Sequence, residues 1–387
     1  MLPVATSNAA LRLPGIWWSA IGDEDWNRTL DPKNVLFIQK LSHKAGAQYC
    51  LARVLRKLKE RALDPILLIS EDGWLTRECQ QNGIQVLRTL FPSSRSLYGY
   101  IYNNRSFTKR VKEKLDQLGV SPPIVQGNDH PEALRTLAVA EFLNAKSSLM
   151  LRTPTMKSED YFKYRCDRSD LVMVESDQLK EAVKVWDIKK NVIVVNNGLT
   201  DEEFLHPKIP TSNPSKVLVL GNPSARKGWQ DVIEALWILR DQNDLHPMTL
   251  DFTGQKPTWL KTSQNFSRFF LNFIGHHDNF KELTRKYELV INASRGETFG
   301  MAALEVIAAG IPLLSSRTGV IEKVVENECL LFEPENPQTL AHAFAKLVTN
   351  WKSVDFDLAR QQQNIRRQFH IDTTVNCLLA EYGGALC

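Results

Sequence analysis

Runs of three or four mostly apolar residues, each too short for a helix, recur along this chain, and stretches with helical spacing fall between them. The first is Val35-Leu36-Phe37-Ile38. It is followed by Ile66-Leu67-Leu68-Ile69, Ile84-Gln85-Val86-Leu87, Ile124-Val125-Gln126, Leu149-Met150-Leu151, Leu171-Val172-Met173-Val174 and Val192-Ile193-Val194-Val195. A strand without polar alternation has both faces buried, which is the condition of a parallel sheet covered by helices on both sides. Between the first two runs, Leu51, Val54, Leu55, Leu58 and Ala62 repeat at helical spacing. Such alternation predicts a doubly wound α/β unit. It breaks at a polar, proline-bearing stretch from Asn196-Asn197-Gly198 through Pro207, Pro210 and Pro214, which has the composition of a linker. It then restarts at Lys216-Val217-Leu218-Val219-Leu220-Gly221. The later runs are Thr249-Leu250-Asp251-Phe252, Asn272-Phe273-Ile274-Gly275, Leu289-Val290-Ile291, Pro312-Leu313-Leu314 and Cys329-Leu330-Leu331-Phe332, and helical stretches over 338–346 and 355–367 close the second unit. The pattern predicts a leader over 1–33, one doubly wound α/β domain over 34–205, a second over 206–368 and a last segment over 369–387. A chain of 387 residues suits two domains of roughly 150–200 residues.

Composition narrows the class by exclusion. A hydrophobic share of 43% and a charged share of 24% are those of an ordinary soluble globular protein. A net charge of +4 is too small to argue for a nucleic-acid partner. The six cysteines are scattered, with no Cys-x-x-Cys and no histidine at ligand spacing, which speaks against zinc and against a disulfide framework. A reducing cytoplasm is the default for such a chain. No apolar run reaches the roughly 18 residues of a membrane span, and no basic start followed by an apolar run signals secretion. The leader carries Trp17, Trp18 and Trp26, which read as caps on a core edge. Between Arg95 and Lys114, Tyr98, Tyr100, Tyr102 and Phe107 interleave with Arg95, Arg105, Lys109, Arg110, Lys112 and Lys114. The lysines suit a solvated helix face; the interleaved aromatics suit peripheral contact with an anionic membrane surface.

The stretch from Leu289 to Leu314 carries the chemistry. A short strand runs into the turn Ser294-Arg295-Gly296-Glu297-Thr298-Phe299-Gly300, and an almost wholly apolar helix follows, in which Glu305 is the one ionisable residue between Phe299 and Ile311. A lone glutamate in such a helix ordinarily reaches solvent or an arginine, because an unpaired carboxylate in apolar surroundings is costly. The helix start adds a second feature: unsatisfied amides around Phe299, Gly300 and Met301, aligned with the positive end of the helix dipole, make an anion site. Gly300 lets a ligand approach the backbone closely. Two carboxylates flanking a phosphate-accepting helix tip suit a molecule with phosphate in its middle and hydroxyls at both ends, which is the form of a nucleotide-sugar.

With seven residues between Glu297 and Glu305, in the context strand, Gly-Glu-x-Phe-Gly, apolar helix, Ala-Gly-x-Pro, strand, the chain resembles the retaining glycosyltransferases of GT-B fold, and family 4 among them. The resemblance covers nearly everything from Asn34 onward. It implies two Rossmann-like domains facing across a cleft, with the nucleotide-sugar donor on the second domain, the acceptor on the first, and a final helix, here 371–382, crossing back. It further implies that Glu297 bonds sugar hydroxyls and Glu305 the ribose diol, which a carboxylate matches by accepting two donors. In such a mechanism the leaving phosphate accepts the acceptor's proton and no protein nucleophile is needed.

The loop Gly221-Asn222-Pro223-Ser224-Ala225-Arg226-Lys227-Gly228 follows the first strand of the second unit. Ligands of open parallel sheets bind beyond the carboxyl ends of strands, so Lys227 and Arg226 are expected on the diphosphate. Members of the family often carry arginine directly after the glycine, where this chain has Asn222, and Arg226 is the substitute. On the first unit, Gly46-Ala47-Gln48 resembles the family's Gly-Gly-Ala loop, with Ala45 in place of the first glycine. His130, in Asn128-Asp129-His130, stands where the family often places a sugar-contacting histidine, although a lone histidine is usually structural. Arg152 ends the next strand and is the candidate for the acceptor. Asp23-Glu24-Asp25 and Asp355-Phe356-Asp357 fit the D-x-D of metal-using transferases, but neither follows a strand into the cleft, so neither metal nor cofactor is expected. The functional expectation is a hexosyltransferase moving sugar from a UDP- or GDP-sugar to a glycan or lipid-linked acceptor in cell-surface polysaccharide or lipopolysaccharide synthesis. It would be cytoplasmic, with a peripheral position at the inner face of the membrane. The alternatives are another GT-B nucleotide-sugar enzyme, an epimerase or sugar-phosphate synthase, and a non-catalytic GT-B scaffold.

Overall fold

The apolar runs assemble into two sheets whose strands are all parallel. The structure, a computed structural model, describes residues 34–92, 97–208, 212–260, 265–275, 277 and 279–386, without the side chains of 97–103 and 386. The leader with its tryptophans and Asp23-Glu24-Asp25, together with Arg95 and the side chains of Tyr98, Tyr100 and Tyr102, lies outside the described residues.

In the first lobe the elements follow as β1 (Asn34–Gln39), α1 (Gly46–Glu60), β2 (Asp64–Ile69), α2 (Trp74–Gln81), β3 (Gln85–Arg88), α3 (Leu97–Gln117), β4 (Ile124–Gly127), α4 (Ala133–Leu143), β5 (Lys146–Leu151), α5 (Ser158–Lys163), β6 (Leu171–Val174), α6 (Asp177–Trp186) and β7 (Val192–Val194). The sheet order is β3-β2-β1-β4-β5-β6-β7. Successive side chains of a strand point to opposite faces, and β1 displays this: Val35 and Phe37 join Leu51, Leu55 and Leu58 of α1, while Leu36 and Ile38 join Phe107, Val111 and Leu115 of α3. Burial on both faces is why β1 reads as an unbroken apolar run.

The second lobe contains β8 (Lys216–Val219), α7 (Trp229–Leu239), β9 (Met248–Phe252), β10 (Phe269–Phe273), α8 (Phe280–Thr284), β11 (Leu289–Asn292), α9 (Met301–Ala308), β12 (Leu313–Ser316), β13 (Leu331–Phe332), α10 (Pro337–Thr349) and α11 (Leu358–Phe369). Its order is β10-β9-β8-β11-β12-β13. The order reverses between β1 and β4 in one sheet and between β8 and β11 in the other, and such switch points are where open α/β sheets bind ligands.

Strand limits differ from the sequence expectation in two informative places. Ile84 does not open β3, because its amide donates to Cys79 O at 2.9 Å to close the end of α2. The strand expected from Asn272 begins at Phe269, in parallel register with Met248. It is an edge strand, with Phe269 buried but Phe270 and Asn272 exposed.

The last helix, α12 (Ile371–Leu386), packs into the first lobe. Ile371, Val375, Leu378 and Tyr382 are buried among Leu51, Leu55 and Leu58 of α1. The two crossings of the chain are joined: Leu199 N–H donates to Phe369 O at 2.9 Å, and Ile371 N–H to Leu199 O at 2.8 Å.

Candidate functional site

The two switch-point loops of the second lobe lock together. Gly228 stands at φ +64°, and a β-carbon there would come within 1.8 Å of Ala293 O, so the loop after β8 reaches the loop after β11 only with glycine at that position. Arg295 N–H then donates to Arg226 O at 2.8 Å, and the Arg295 guanidinium grips Asp231 of α7 through two bonds of 2.6 and 2.9 Å. This closure brings Lys227 Nζ to 2.6 Å from Glu297 Oε1 and Arg226 Nη1 to 3.0 Å from Glu297 Oε2. Ser294 Oγ donates to the same carboxylate at 2.9 Å. Burial pushes the Glu297 carboxyl up, but Lys227, Arg226 and Ser294 together outweigh it and hold it below the usual range.

Helix α9 begins at Gly300, which adopts φ +93°. Among the described residues no side chain caps this helix start, nor that of α1 at Ala45, and at both starts the first-turn amides have no partner within the helix. Both ends border one cavity of about 710 Å³ between the lobes: Lys44, Gly46, Tyr49, Arg53 and Trp74 line it from the first lobe, and Gly221, Thr253, Phe280, Met301 and Glu305 from the second. Glu202 and Glu203, just past the chain crossing, complete the wall. Glu305 has found an arginine, but across the cleft: Arg53 Nη2 donates to its Oε1 at 2.6 Å. Burial raises the Glu305 carboxyl, and Arg53 is the largest charge opposing that rise.

The fold has counterparts among solved structures. The crystal structure of Anabaena Alr3699/HepE in complex with UDP and glucose superposes with a TM-score of 0.71 at 15% identity, covering 91% of this chain and all of that one. The lipopolysaccharide outer core galactosyltransferase WaaB in its apo form gives 0.67 at 15%, covering 90% and 99%. The fold is GT-B. Residues 214–350, most of the second lobe of this GT-B chain, match the family model described as "Glycosyl transferases group 1". A glycogen synthase of Mycobacterium tuberculosis is 29% identical over 141 residues, which is 35% of this chain and 34% of that protein. The chain thus aligns with about a third of the length of that curated relative.

Within the GT-B cleft the residues singled out from sequence take different places. Gly46, Met301 and Glu305 line the cavity. Lys227, Arg226 and Glu297 form a cluster beside it, with the Lys227 stem packed against Gly221 of the cavity wall. Phe299 turns its ring away, edge-on to Phe369 at 5.3 Å, which leaves its backbone at the helix tip. Asn222 closes the loop, accepting from Ser224 Oγ at 2.6 Å and Ser224 N–H at 3.3 Å, with its side chain exposed. His130 does not line the cavity; it lies against Asp129 at 3.2 Å and edge-on to Tyr164 at 5.2 Å.

Arg152 corrects its sequence expectation. It is buried and spends its guanidinium inside the protein, on Asn128 Oδ1 at 3.0 Å and on Asn197. Asn197 Nδ2 donates to Glu175 at 2.7 Å, and Glu175 in turn accepts from Thr298 of the GT-B second lobe. The result is a polar bridge from the first lobe to the residue between Glu297 and Phe299. Asp355 and Asp357 form a turn before α11. Among the described residues no three His, Cys, Asp or Glu side chains are placed to hold a metal ion, the five described cysteines are free, and no helix is long and apolar enough to cross a membrane.

Sequence reading missed Arg53, Glu203, Glu175 and Thr298. A signal for Arg53 existed. Gly46, Tyr49, Arg53 and Arg56 repeat at helical spacing beside the apolar stripe of α1, and all four line the cavity.

Proposed function

We propose that this chain is a retaining hexosyltransferase that moves sugar from a nucleoside diphosphate sugar to a hydroxyl of a glycan or lipid-linked acceptor. The observation that carries it is the pairing of Glu297 with Lys227 at 2.6 Å beside the uncapped tip of α9, while Glu305 from the same helix lines the interlobe cavity. In this reading the amides of Gly300 and Met301, with Lys227 and Arg226, take the diphosphate, joined by the Gly46 amide from the facing helix. Glu297 accepts from hydroxyls of the transferred sugar, Glu305 from the ribose diol, and His130 contacts the sugar from the first-lobe side.

The bond from the anomeric carbon to the diphosphate oxygen breaks, and the acceptor oxygen bonds that carbon on the same face. The acceptor's proton passes to the departing phosphate oxygen, so the products are the glycoside and a nucleoside diphosphate. Preorganised cations at the growing charge are the largest protein contribution to such a step. No metal enters this scheme. The UDP and glucose named with the Anabaena neighbour favour a UDP-hexose donor, and the galactosyltransferase neighbour favours a cell-surface glycan as product. A peripheral position on the inner membrane face, reached through α3, would bring a lipid-linked acceptor to the cleft.

The test is a nucleotide release screen over UDP-, GDP- and ADP-sugars, with and without glycan acceptors. Release stimulated by an acceptor supports the transferase. Release without transfer, together with sugar isomerisation, points to an epimerase, and transfer to a sugar phosphate points to a synthase. Absence of binding to any nucleotide by calorimetry leaves a scaffold.

A further inference from the structure

Arg53 is buried on α1, 3% exposed, and uses one nitrogen for two acids: Nη2 donates to Glu305 at 2.6 Å and also to Glu203. Among the described residues its Nε and Nη1 have no hydrogen-bond partner. Buried guanidinium donors are ordinarily hydrogen-bonded; here packing, with one nitrogen's bonds, holds the group. The guanidinium carbon lies 4.4 Å from the Tyr49 ring centroid, and Trp74 stacks on Tyr49 at 5.3 Å. Arg53 is therefore held by an aromatic stack in the first lobe and spends its charge on an acid of the second.

We propose that Arg53 is a positioning residue for the nucleotide site, orienting and charge-matching Glu305 from across the cleft, so that the first lobe sets the nucleotide affinity of the second. This rests on the reading of Glu305 as the ribose acceptor. A diol presents two O–H donors, and an ionised carboxylate accepts both, whereas a carboxylic acid gives up one acceptor site to its own proton. Burial drives Glu305 toward the protonated form, Arg53 opposes this most strongly, Glu203 reinforces it, and Lys44 opposes it more weakly. Tyr49 and Cys50 of α1 also face this group, and Glu78, Glu202, Arg56, His277 and Lys281 border the same cavity. Arg53 and Glu203 thus act on Glu305 with opposite sign.

The experiment is calorimetric titration of the full chain with UDP from pH 5 to pH 8, with thermal melting to verify folding. In Arg53→Gln the acid limb of binding moves to higher pH, and on that limb affinity falls about tenfold for each unit the Glu305 carboxyl rises. In Arg53→Lys the charge is kept and the limb stays near that of the parent. In Glu203→Gln the limb moves to lower pH. Titration of the UDP phosphate is common to all four proteins and cancels in the comparison. Equal affinity and unmoved limbs overturn the inference while leaving the nucleotide site standing. A uniform weakening without a shift also overturns it, since that is what a purely structural role produces. Failure of the parent to bind UDP, GDP or ADP removes the nucleotide site itself. Should Arg53→Gln not fold, Glu203→Gln decides alone, and an unmoved limb there overturns the inference.

Discussion

Lys227 Nζ stands 2.6 Å from Glu297 Oε1, and the two residues come from the loops that follow β8 and β11, the middle pair of the second sheet. The cation proposed for phosphate and the acid proposed for sugar hydroxyls are thereby held in contact at a switch point. The pairing keeps Glu297 ionised and gives Lys227 a defined position.

Replacing Lys227 with alanine should cost about 3–4 kcal/mol in the barrier, roughly 10²- to 10³-fold in kcat. Glu297→Ala should lose a similar factor. Because the two touch, the double variant should lose less than the sum of the single losses. Steady-state kinetics with circular dichroism of each variant checks this; undiminished turnover in both single variants would remove the assignment.

Glu305 is assigned to the ribose diol, so a nucleotide lacking the 2′-hydroxyl should bind the parent more weakly than UDP. Hydrogen bonds to charged groups are worth about 1.5–3 kcal/mol, which sets the expected gap. In Glu305→Gln that gap should shrink, as measured by competition binding of the two nucleotides.

Acid stability should carry the mark of Glu297. Its folded carboxyl lies below the usual range, so its contribution is present above the ordinary glutamate value of about 4.3 and is lost as pH falls through the lower folded value. Glu297→Gln should therefore show a Tm deficit at pH 6 that closes as pH drops toward 3. A deficit independent of pH would contradict the ion pair.

Arg152 tests the polar bridge between the lobes. Glu175 Oε2 lies 3.7 Å from Arg152 Nη1, and removing one partner of a buried ion pair costs about 3–5 kcal/mol because the other charge is left unpaired. Arg152→Ala should lower the denaturation midpoint accordingly. If stability were unchanged and only the acceptor KM rose, Arg152 would belong to the acceptor site instead.

Turnover should survive chelation. Addition of EDTA to the assay, with magnesium added back as control, should leave the transfer rate unchanged; a rate restored only by the metal would refute the metal-free scheme.

What the chain revealed beforehand was what neighbouring residues decide. The β1 run, the Gly221–Gly228 loop and the tip at Gly300 are local patterns: the first forms a strand, the second follows one and the third starts a helix, as their residues dictate. The partners of those residues were not legible. Glu305 meets Arg53 across a separation of 252 residues, and Thr298 meets Glu175 across 123. Nothing in the vicinity of either residue specifies such a meeting, which follows from how two lobes face each other. Arg152 was misplaced for the same reason: standing after β5 put it at the correct end of the sheet, but Asn128 and Asn197, which consume its donors, arrive from other strands.

The packing of α12 against α1 has a consequence for biosynthesis. Ile371, Val375, Leu378 and Tyr382 are part of the core built on β1 and α1, although they are translated more than three hundred residues later. Domains usually condense as the ribosome delivers them. Here the earlier half emerges with an apolar groove that stays open until the closing helix is made, and a nascent chain in that interval is the form a chaperone would have most reason to hold.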